Sequence, residues 1–391
     1  MLHACRDTRY CNDGGYELDP FDNSPHTVSM TPCTDNHARF MNRAIRLARK
    51  GLFTAHPNPR VGCVLVKEGQ IVGEGFHHKA GEGHAEINAL AEAGDKAWGS
   101  RCYVTLEPCC HQGKTPPCTD ALISAGIRDV IVAMEDPNPL VAGKGIAALE
   151  NAGIKVAVGV CRQQAEGLNP GFIKRMKTGL PFVRVKIGAS LDGRTAMASG
   201  ESQWITGAAS RKDVQKWRAM SSAIVTGIET VLADDPALTV RDPAFDTAGR
   251  QPLRVVLDSD HRFPDQAHMR SLPGENVILT TQESDHVEAV KIEAGSEGRV
   301  DLEKAMRYLA DKKAINEVLV EAGSTLSGAF IQAGLVDELI LYQAPKLLGG
   351  SARPLVDLPG LEKLADCVQL EIKSLKKIGK DIRIVATIRE N

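Results

Sequence analysis

Short β-rich runs alternate with helix-forming segments along most of the chain, and this alternation limits the fold more than any other feature. Between residues 102 and 153, "CYVTLEP", "CTDALISAG", "DVIVAME" and "GIAALENAG" follow the order strand, helix, strand, helix. Strands that alternate with helices form largely parallel sheets whose faces the helices cover. The alternation pauses at the basic stretch "FIKRMKTGLP", residues 172–181, and then resumes. Because 391 residues also exceed the usual size of one core, the sequence predicts two α/β domains.

The expected boundaries follow from this pattern. Residues 1–29 have neither an apolar period nor the features of a signal peptide, so we expect a disordered extension, with Met30 as a possible natural start. Residues 30–178 and 179–391 are the two predicted domains. A net charge of −2 gives no reason to expect a nucleic acid or a membrane as partner.

The ten cysteines are scattered over the whole length of the chain. Without an export signal, they are expected to be thiols in the cytoplasm rather than disulfides. The exception to the scatter is the cluster "PCCHQGKTPPC", which contains Cys109, Cys110 and Cys118. In a chain of this kind, clustered cysteines favour a metal site.

The segment "HAEINAL" places His84 and Glu86 at the start of a predicted helix. Residues two apart lie about 200° apart on a helix, so these side chains can converge only beyond its N-terminus. His84, Cys109 and Cys118 would give zinc three ligands and leave a fourth position open, which is typical of a catalytic site. Zinc lowers the pKa of bound water to ~7, and Glu86, unbound to the metal, could shuttle the proton. This set matches the signature of zinc deaminases of amino-substituted bases.

Two alternatives remain open for these residues. Cys110 or His111 could occupy the fourth position of a purely structural zinc site, although Glu86 would then have no purpose. The thiols and the histidine could also lie together without a metal. Eight residues separate Cys109 from Cys118, where the commonest deaminase motif has two, and the inserted loop carries His111 and Lys114, which suit a phosphate group.

Four segments together resemble the bifunctional riboflavin-biosynthesis deaminase–reductase family: "HPNPRVGCVLV", "HAEINAL", "PCCHQGKTPPC" and "ASLDGRTAMASGESQWIT". The resemblance covers roughly residues 34–390. It implies a cytidine-deaminase-like three-layer α/β/α domain followed by a dihydrofolate-reductase-like α/β domain. The first would deaminate 2,5-diamino-6-ribosylamino-4(3H)-pyrimidinone 5′-phosphate, and the second would reduce the ribosyl group to ribityl with NADPH. The product would be 5-amino-6-ribitylamino-uracil 5′-phosphate.

The resemblance also assigns residues. In the first domain it implies one zinc ion bound by His84, Cys109 and Cys118, Glu86 as the catalytic proton shuttle, and Asn58 and His77 near the pyrimidine. The implied cofactor contacts are Gly188, Trp204, Thr230, Asp234, Ser259, Gly323, Ser324, Thr325, Leu326, Ser327, Gly328 and Ala329. The implied substrate contacts of the second domain are Ser202, Arg218, Leu238, Arg241 and Glu321.

The residues themselves leave several of these roles open. Asn58 could be a turn residue between two prolines. Arg218 and Arg241 suit bidentate binding of a phosphate, but each could instead lie on a solvated helix face or form a loop salt bridge. Asp234 could cap a turn before Pro236, and the glycine-containing turn at 323–329 could be a plain strand–helix connection, since no G-x-G-x-x-G motif follows a strand. Lys186, Asp234 and Glu321 are all possible proton donors in the reduction.

Three functions are therefore compared. The first is the bifunctional metabolic enzyme, which we expect to be a cytoplasmic homo-oligomer. The second is a nucleic-acid base deaminase with an unrelated second domain, which the charge balance and the long cysteine loop disfavour. The third is a zinc-containing nucleotide sensor without catalysis. Turnover of the pyrimidine would separate the first from the third.

Overall fold

The computed structural model describes residues 36–111, 116–295 and 297–389. The predicted extension at 1–29 and the predicted phosphate contact Lys114 lie outside these ranges. Within them, no helix is both long enough and apolar enough to cross a membrane.

The first half of the chain forms a five-stranded sheet with helices on both faces. Its helices are α1 (Asn36–Ala48), α2 (Ala85–Ala93), α3 (Cys118–Ser124), α4 (Lys144–Asn151), α5 (Arg162–Glu166) and α6 (Pro170–Thr178). Its strands are β1 (Gly62–Lys67), β2 (Gln70–Phe76), β3 (Arg101–Val104), β4 (Asp129–Val132) and β5 (Lys155–Val158). The strand order is β2-β1-β3-β4-β5. Strands β3, β4 and β5 run parallel, whereas β1 is antiparallel to β3 and forms an antiparallel hairpin with β2 around Glu68 and Gly69.

Two apolar clusters, one on each face, give this half its three layers. On one face, Phe40 and Met41 of α1 pack with Phe172 of α6. On the other, Ala85 and Ala89 of α2 pack with helices α3 and α4. The sheet is therefore buried on both sides, as its apolar strands predict.

The second half contains a nine-stranded sheet. Its helices are α7 (Ala208–Met220), α8 (Ile228–Asp234), α9 (Leu302–Lys312) and α10 (Ser324–Gln332). Its strands are β6 (Phe182–Ser190), β7 (Arg194–Ala196), β8 (Ala223–Gly227), β9 (Leu253–Leu257), β10 (Asn276–Thr280), β11 (Ala289–Lys291), β12 (Glu317–Glu321), β13 (Glu338–Ala344), β14 (Arg353–Pro354), β15 (Leu370–Ile378) and β16 (Asp381–Ile388).

The large sheet has the order β11-β10-β9-β8-β12-β6-β13-β16-β15. The strands from β11 to β13 are parallel, and β16 and β15 add an antiparallel edge. Strand β12 lies between β8 and β6, and all five of its residues are buried. The side chains of β12 therefore span the core of this domain from one end to the other.

The stretch 172–181, where the sequence predicts a boundary, lies mostly within helix α6. Phe172 packs in the core of the first half. Lys174 donates to the Asp337 carboxylate of the second half at 2.6 Å. A β-carbon at Gly171 would lie 2.4 Å from the Asn316 carbonyl oxygen, so glycine permits the close approach of α6 to the second half. The boundary segment thus packs against both halves.

Candidate active sites

His84 and Glu86 reach the same point because only one of them is inside the helix. His84 is the N-cap of α2, with extended backbone angles (φ −71°, ψ 166°), whereas Glu86 lies in the first helical turn. Gly75 of β2 sets the position of this helix end. A β-carbon there would come within 2.2 Å of the Ala85 carbonyl oxygen, so α2 can lie this close to the strand only over glycine.

Cys109 and Cys118 complete a compact group of metal-ligating atoms with His84. The Nδ1 atom of His84 lies 3.2 Å from the Cys118 sulfur and 3.5 Å from the Cys109 sulfur. Tetrahedral zinc with ordinary Zn–N and Zn–S bonds separates such atoms by about 3.5 Å. Within residues 36–111, 116–295 and 297–389, this is the group of His, Cys, Asp and Glu residues close enough to hold a metal. The donor set therefore fits zinc in both chemistry and spacing.

Cys110 and His111 do not belong to this group, although both are described. Either residue would have been needed to close a four-ligand structural site. The open alternative of a structural zinc site therefore gains no support from the geometry.

The thiols of Cys109 and Cys118 have pKa values that are shifted in opposite directions. Hydrogen bonds from Cys118 and from His84 lower the pKa of Cys109 to about 4. The same bond to Cys109, together with burial, raises the pKa of Cys118 above its usual range. The lowered pKa favours the thiolate form of Cys109 beside the His84 imidazole, and thiolates are the form of cysteine that binds metals.

Glu86 is buried beside the ligand group and bonds with Cys118. Burial raises the pKa of its carboxyl group to about 7. A carboxyl group with a pKa near the working pH can both accept and return a proton. Glu86 thus has the location and the basicity of a proton shuttle.

Glu107 holds the cysteine loop in place, and its role is not apparent from the sequence. Its buried carboxylate accepts hydrogen bonds from the backbone N–H groups of Asp136, Gly143, Gly145 and Ile146. These bonds join the turn before Cys109 to the start of helix α4.

Asn58 and His77 lie next to the metal-ligating group. The Asn58 amide nitrogen is 3.0 Å from the His77 Nε2 atom, and His77 Nδ1 is 3.2 Å from the Gly83 carbonyl oxygen. The rings of His77 and His84 meet edge to face, with centroids 5.3 Å apart. Asn58 is therefore more than a turn residue between prolines.

The second half contains a cleft of about 1740 Å³. Its lining includes most of the predicted contacts: Gly188, Ser202, Trp204, Arg218, Thr230, Asp234, Leu238, Arg241, Ser259, Glu321, Gly323, Ser324, Thr325, Leu326 and Ala329. Two residues of the predicted turn lie elsewhere. Ser327 is fully buried, and a β-carbon at Gly328 would lie 1.8 Å from the Asp357 carbonyl oxygen, so both pack against the protein rather than line the cleft.

Arg218 has a carboxylate partner, one of the alternatives that the sequence leaves open. Its Nε and Nη2 atoms donate to the two oxygens of Glu321 at 2.6 and 3.0 Å, and Nη1 donates to the Thr239 carbonyl oxygen. Lys186 lies 3.1 Å from the same carboxylate. Burial alone would raise the pKa of Glu321, but the two cations lower it to about 2. Glu321 is thus an anion at neutral pH and a poor proton donor.

Arg241 is exposed at the cleft, and in the described part of the chain no acidic partner is recorded for its guanidinium. Trp204 has an exposed ring that stacks on the Arg211 guanidinium, whose carbon lies 4.4 Å from the ring centroid. Asp234 ends helix α8 and accepts a hydrogen bond from Gln203 at 3.1 Å. These groups supply charge and a stacking surface to the cleft.

Two family models match the chain. Residues 34–134 match the cytidine and deoxycytidylate deaminase zinc-binding region, and residues 181–384 match the RibD C-terminal domain. The group of metal-ligating residues in the first half and the cleft in the second half each lie within the range that the corresponding family model matches.

Curated relatives cover almost the whole described chain. The Riboflavin biosynthesis protein RibD of Escherichia coli is 54% identical over 356 residues, which are 88% of this chain and 97% of that protein. The protein of the same name from Haemophilus influenzae is 52% identical over 364 residues, 89% of this chain and 96% of that one.

Solved structures show the same arrangement. Acinetobacter baumannii RibD, form 2, is 46% identical with a TM-score of 0.85, covering 90% of this chain and 99% of that one. A diaminohydroxyphosphoribosylaminopyrimidine deaminase/5-amino-6-(5-phosphoribosylamino)uracil reductase from Thermotoga maritima is 33% identical with a TM-score of 0.80, covering 90% and 99%. These likenesses confirm the predicted fold class of two α/β domains.

Proposed function

Since the chain belongs to the RibD family of riboflavin-biosynthesis proteins, we propose that it deaminates 2,5-diamino-6-ribosylamino-4(3H)-pyrimidinone 5′-phosphate and then reduces the product's ribosyl group to ribityl. The chain is a bifunctional enzyme, a deaminase joined to a reductase. Its substrate is a small phosphorylated pyrimidine. Its cofactors are zinc in the first half and NADPH in the second. We propose both the identity of this pyrimidine and the roles of the individual residues.

The ligand group at the end of α2 is the observation that carries the first activity. When bound, zinc supplies a nucleophilic hydroxide at neutral pH. His84, Cys109 and Cys118 would hold the ion, and their spacing supports this assignment. Glu86 takes up the proton released by the attacking water and delivers it to the departing amino group, for which its location beside Cys118 and its pKa of about 7 are suited. Asn58 and His77 orient the pyrimidine ring.

The cleft of the second half supports the reduction. NADPH supplies the hydride, and the protein supplies orientation and charge. We assign the exposed Arg241 to the substrate phosphate, because its guanidinium is available at the cleft. Arg218 and Glu321, fixed to each other, would bind substrate hydroxyl groups. Since Glu321 is ionised and Asp234 is an exposed carboxylate, we assign the role of proton source to the amino group of Lys186, 3.1 Å from Glu321.

Incubation of the purified protein with the diaminopyrimidine nucleotide tests both activities. Ammonia should be released without NADPH, and NADPH should be oxidised only after deamination has begun. A protein that binds the nucleotide but releases no ammonia would instead be the non-catalytic sensor considered above.

We make two further predictions, one for the ranges of the two domains and one for the location of the protein in the cell. We assign residues 30–178 to the deaminase and 179–391 to the reductase. A cytoplasmic location is supported by Cys63 and Cys102, whose sulfur atoms lie 3.4 Å apart as buried thiols rather than as a disulfide. These free thiols are what a reducing compartment maintains.

The prediction of a homo-oligomer is supported by an exposed apolar edge of the large sheet. Strand β15 is the edge of the large sheet, and Leu370, Ile372 and Leu375 are exposed on it. An apolar edge strand with unpaired backbone groups is suited to pairing with another strand. We assign this edge to a second copy of the chain. Light scattering should show a dimer or larger assembly, and Ile372→Lys should dissociate it.

A further inference from the structure

The loop of residues 52–61, between α1 and β1, lies between the two halves. We call it the bridging loop. Arg250 of the second half donates to the Phe53 carbonyl oxygen at 3.1 Å, and the Ser222 hydroxyl lies 2.8 Å from His56 Nδ1. The Asn316 amide donates to the Pro57 carbonyl oxygen at 2.8 Å. The second half thus contacts this loop at several successive positions.

Arg60 adds a buried ion pair to these contacts. Its Nη2 atom lies 2.7 Å from Oε1 of Glu317, and its Nη1 atom donates to the Leu168 carbonyl oxygen. The side chains of Arg60 and Glu317 are only 11% and 4% exposed, so water screens this pair little. Arg184 binds the other oxygen of Glu317 at 2.6 Å. The backbone of Arg60 is held as well, because Asn169 bonds to both its N–H and its carbonyl group.

The opposite side of the bridging loop belongs to the deaminase site. Asn58, two residues before Arg60, bonds to His77, and His77 packs against the metal-ligating His84. The loop backbone also accepts from His77, whose N–H donates to the Val61 carbonyl oxygen at 2.9 Å. A shift of the loop would therefore displace Asn58 and His77 relative to His84.

We propose that Arg60 is a positioning residue for deamination, through which the reductase half holds Asn58 in place for the pyrimidine. This inference rests on the proposed function, because it needs Asn58 and His77 to contact the deaminase substrate. Its consequence is that deamination depends on a residue pair formed between the halves, although the zinc ligands all lie in the first.

The reductase cleft should not depend on Arg60. Glu317 begins β12, and the cleft residue Glu321 lies at the other end of this strand, about 13 Å away at the usual rise. Arg184 would still neutralise Glu317 if Arg60 were lost. A change at Arg60 should therefore affect the two activities differently.

The test compares Arg60→Met, Arg60→Lys and Ser222→Ala with the wild-type protein. Ser222→Ala removes the His56 contact and the bond that the Ser222 hydroxyl accepts from the Glu317 N–H, with a small change in volume, and keeps the test decisive if Arg60→Met folds poorly. Arg43→Met is the matched control, because it breaks an ion pair with Glu74 that lies within the first half and away from the bridging loop. Steady-state ammonia release, NADPH oxidation with supplied deaminated nucleotide, zinc content and melting temperature are measured for each.

For Arg60→Met we expect KM for ammonia release to rise at least tenfold, with zinc content unchanged and NADPH oxidation within twofold of wild type. Arg60→Lys should recover part of the loss, Ser222→Ala should raise KM in the same direction, and Arg43→Met should match wild type. Deamination within twofold of wild type in Arg60→Met, or in Ser222→Ala if Arg60→Met does not fold, would overturn the inference. So would an equal loss of both activities, which indicates a purely structural role. If wild type itself releases no ammonia, the proposed function fails, and this inference fails with it.

Discussion

The Arg218 guanidinium and the Glu321 carboxylate form a bidentate ion pair, with Nε 2.6 Å from one carboxylate oxygen and Nη2 3.0 Å from the other. Three of the five N–H groups of Arg218 are thereby used, counting its bond to Thr239. This ion pair distinguishes Arg218 from Arg241, although the sequence gives the two arginines the same candidate roles. Arg218 is part of a fixed ion pair, while Arg241 is exposed at the cleft.

Arg241→Ala should therefore weaken reduction of the phosphorylated substrate selectively. A hydrogen bond to a charged group contributes about 1.5–3 kcal/mol, so kcat/KM should fall roughly 10- to 100-fold. The dephosphorylated substrate should be reduced as well by the variant as by wild type. NADPH oxidation with both substrates measures this, and equal losses would mean that Arg241 does not bind the phosphate.

Arg218→Ala should behave differently, because it leaves Glu321 as a buried carboxylate with Lys186 as its remaining cation. Loss of one partner of a buried pair costs about 3–5 kcal/mol of unfolding free energy. Urea unfolding should show this loss, and reduction of the two substrates should fall by the same factor. A selective loss of activity with the phosphorylated substrate would instead indicate that Arg218 binds the phosphate.

The sequence determines much of this arrangement because the relevant signals are local. The alternating strands and helices and the cysteine cluster that contains Cys109 and Cys118 can each be recognised from neighbouring residues. The helix period also shows that His84 and Glu86 can converge only beyond a helix end, and His84 is in fact the N-cap of α2.

What the sequence does not predict depends on distant partners. Arg60 and Glu317 are 257 positions apart, and no period or motif connects them. The short helix α8 has only seven residues, too few for a clear helical pattern, and the edge strand β15 carries exposed apolar residues that obscure the usual alternation. Likewise, an arginine in a salt bridge and an arginine available for phosphate have the same sequence signature.

Acid should destabilise the protein through Glu317. Burial alone would raise the pKa of this carboxyl group, but Arg60 and Arg184 lower it from 4.5 to about 2. A lowered pKa stabilises the fold fully above the unfolded value, and the contribution is lost as the pH falls towards 2. The loss at pH 4 should be on the order of 1 kcal/mol. Urea unfolding between pH 7 and pH 3 measures it, with Glu317→Gln as the variant whose curve should be flatter. Parallel curves would exclude Glu317 as a source of the acid sensitivity.

The zinc site predicts a contrast between neighbouring cysteines. Cys110→Ser should retain about one zinc per chain, because Cys110 is not in the ligand group, whereas Cys118→Ser should lose zinc and deaminase activity. Metal analysis of the purified variants measures both. Loss of zinc from Cys110→Ser would reject the assigned ligands.

Replacement of Glu86 by glutamine tests the central claim most directly, because Glu86→Gln keeps the size of the side chain but removes its ability to accept a proton. Positioned acid–base groups supply ~10²–10⁴-fold in rate, so ammonia release from the diamino nucleotide should fall by at least that lower factor. Zinc content should be unchanged, since the three ligands are intact, and NADPH oxidation with supplied deaminated nucleotide should remain near the wild-type rate. Near-normal ammonia release by Glu86→Gln would contradict the assignment of the proton shuttle and, with it, the proposed deaminase mechanism.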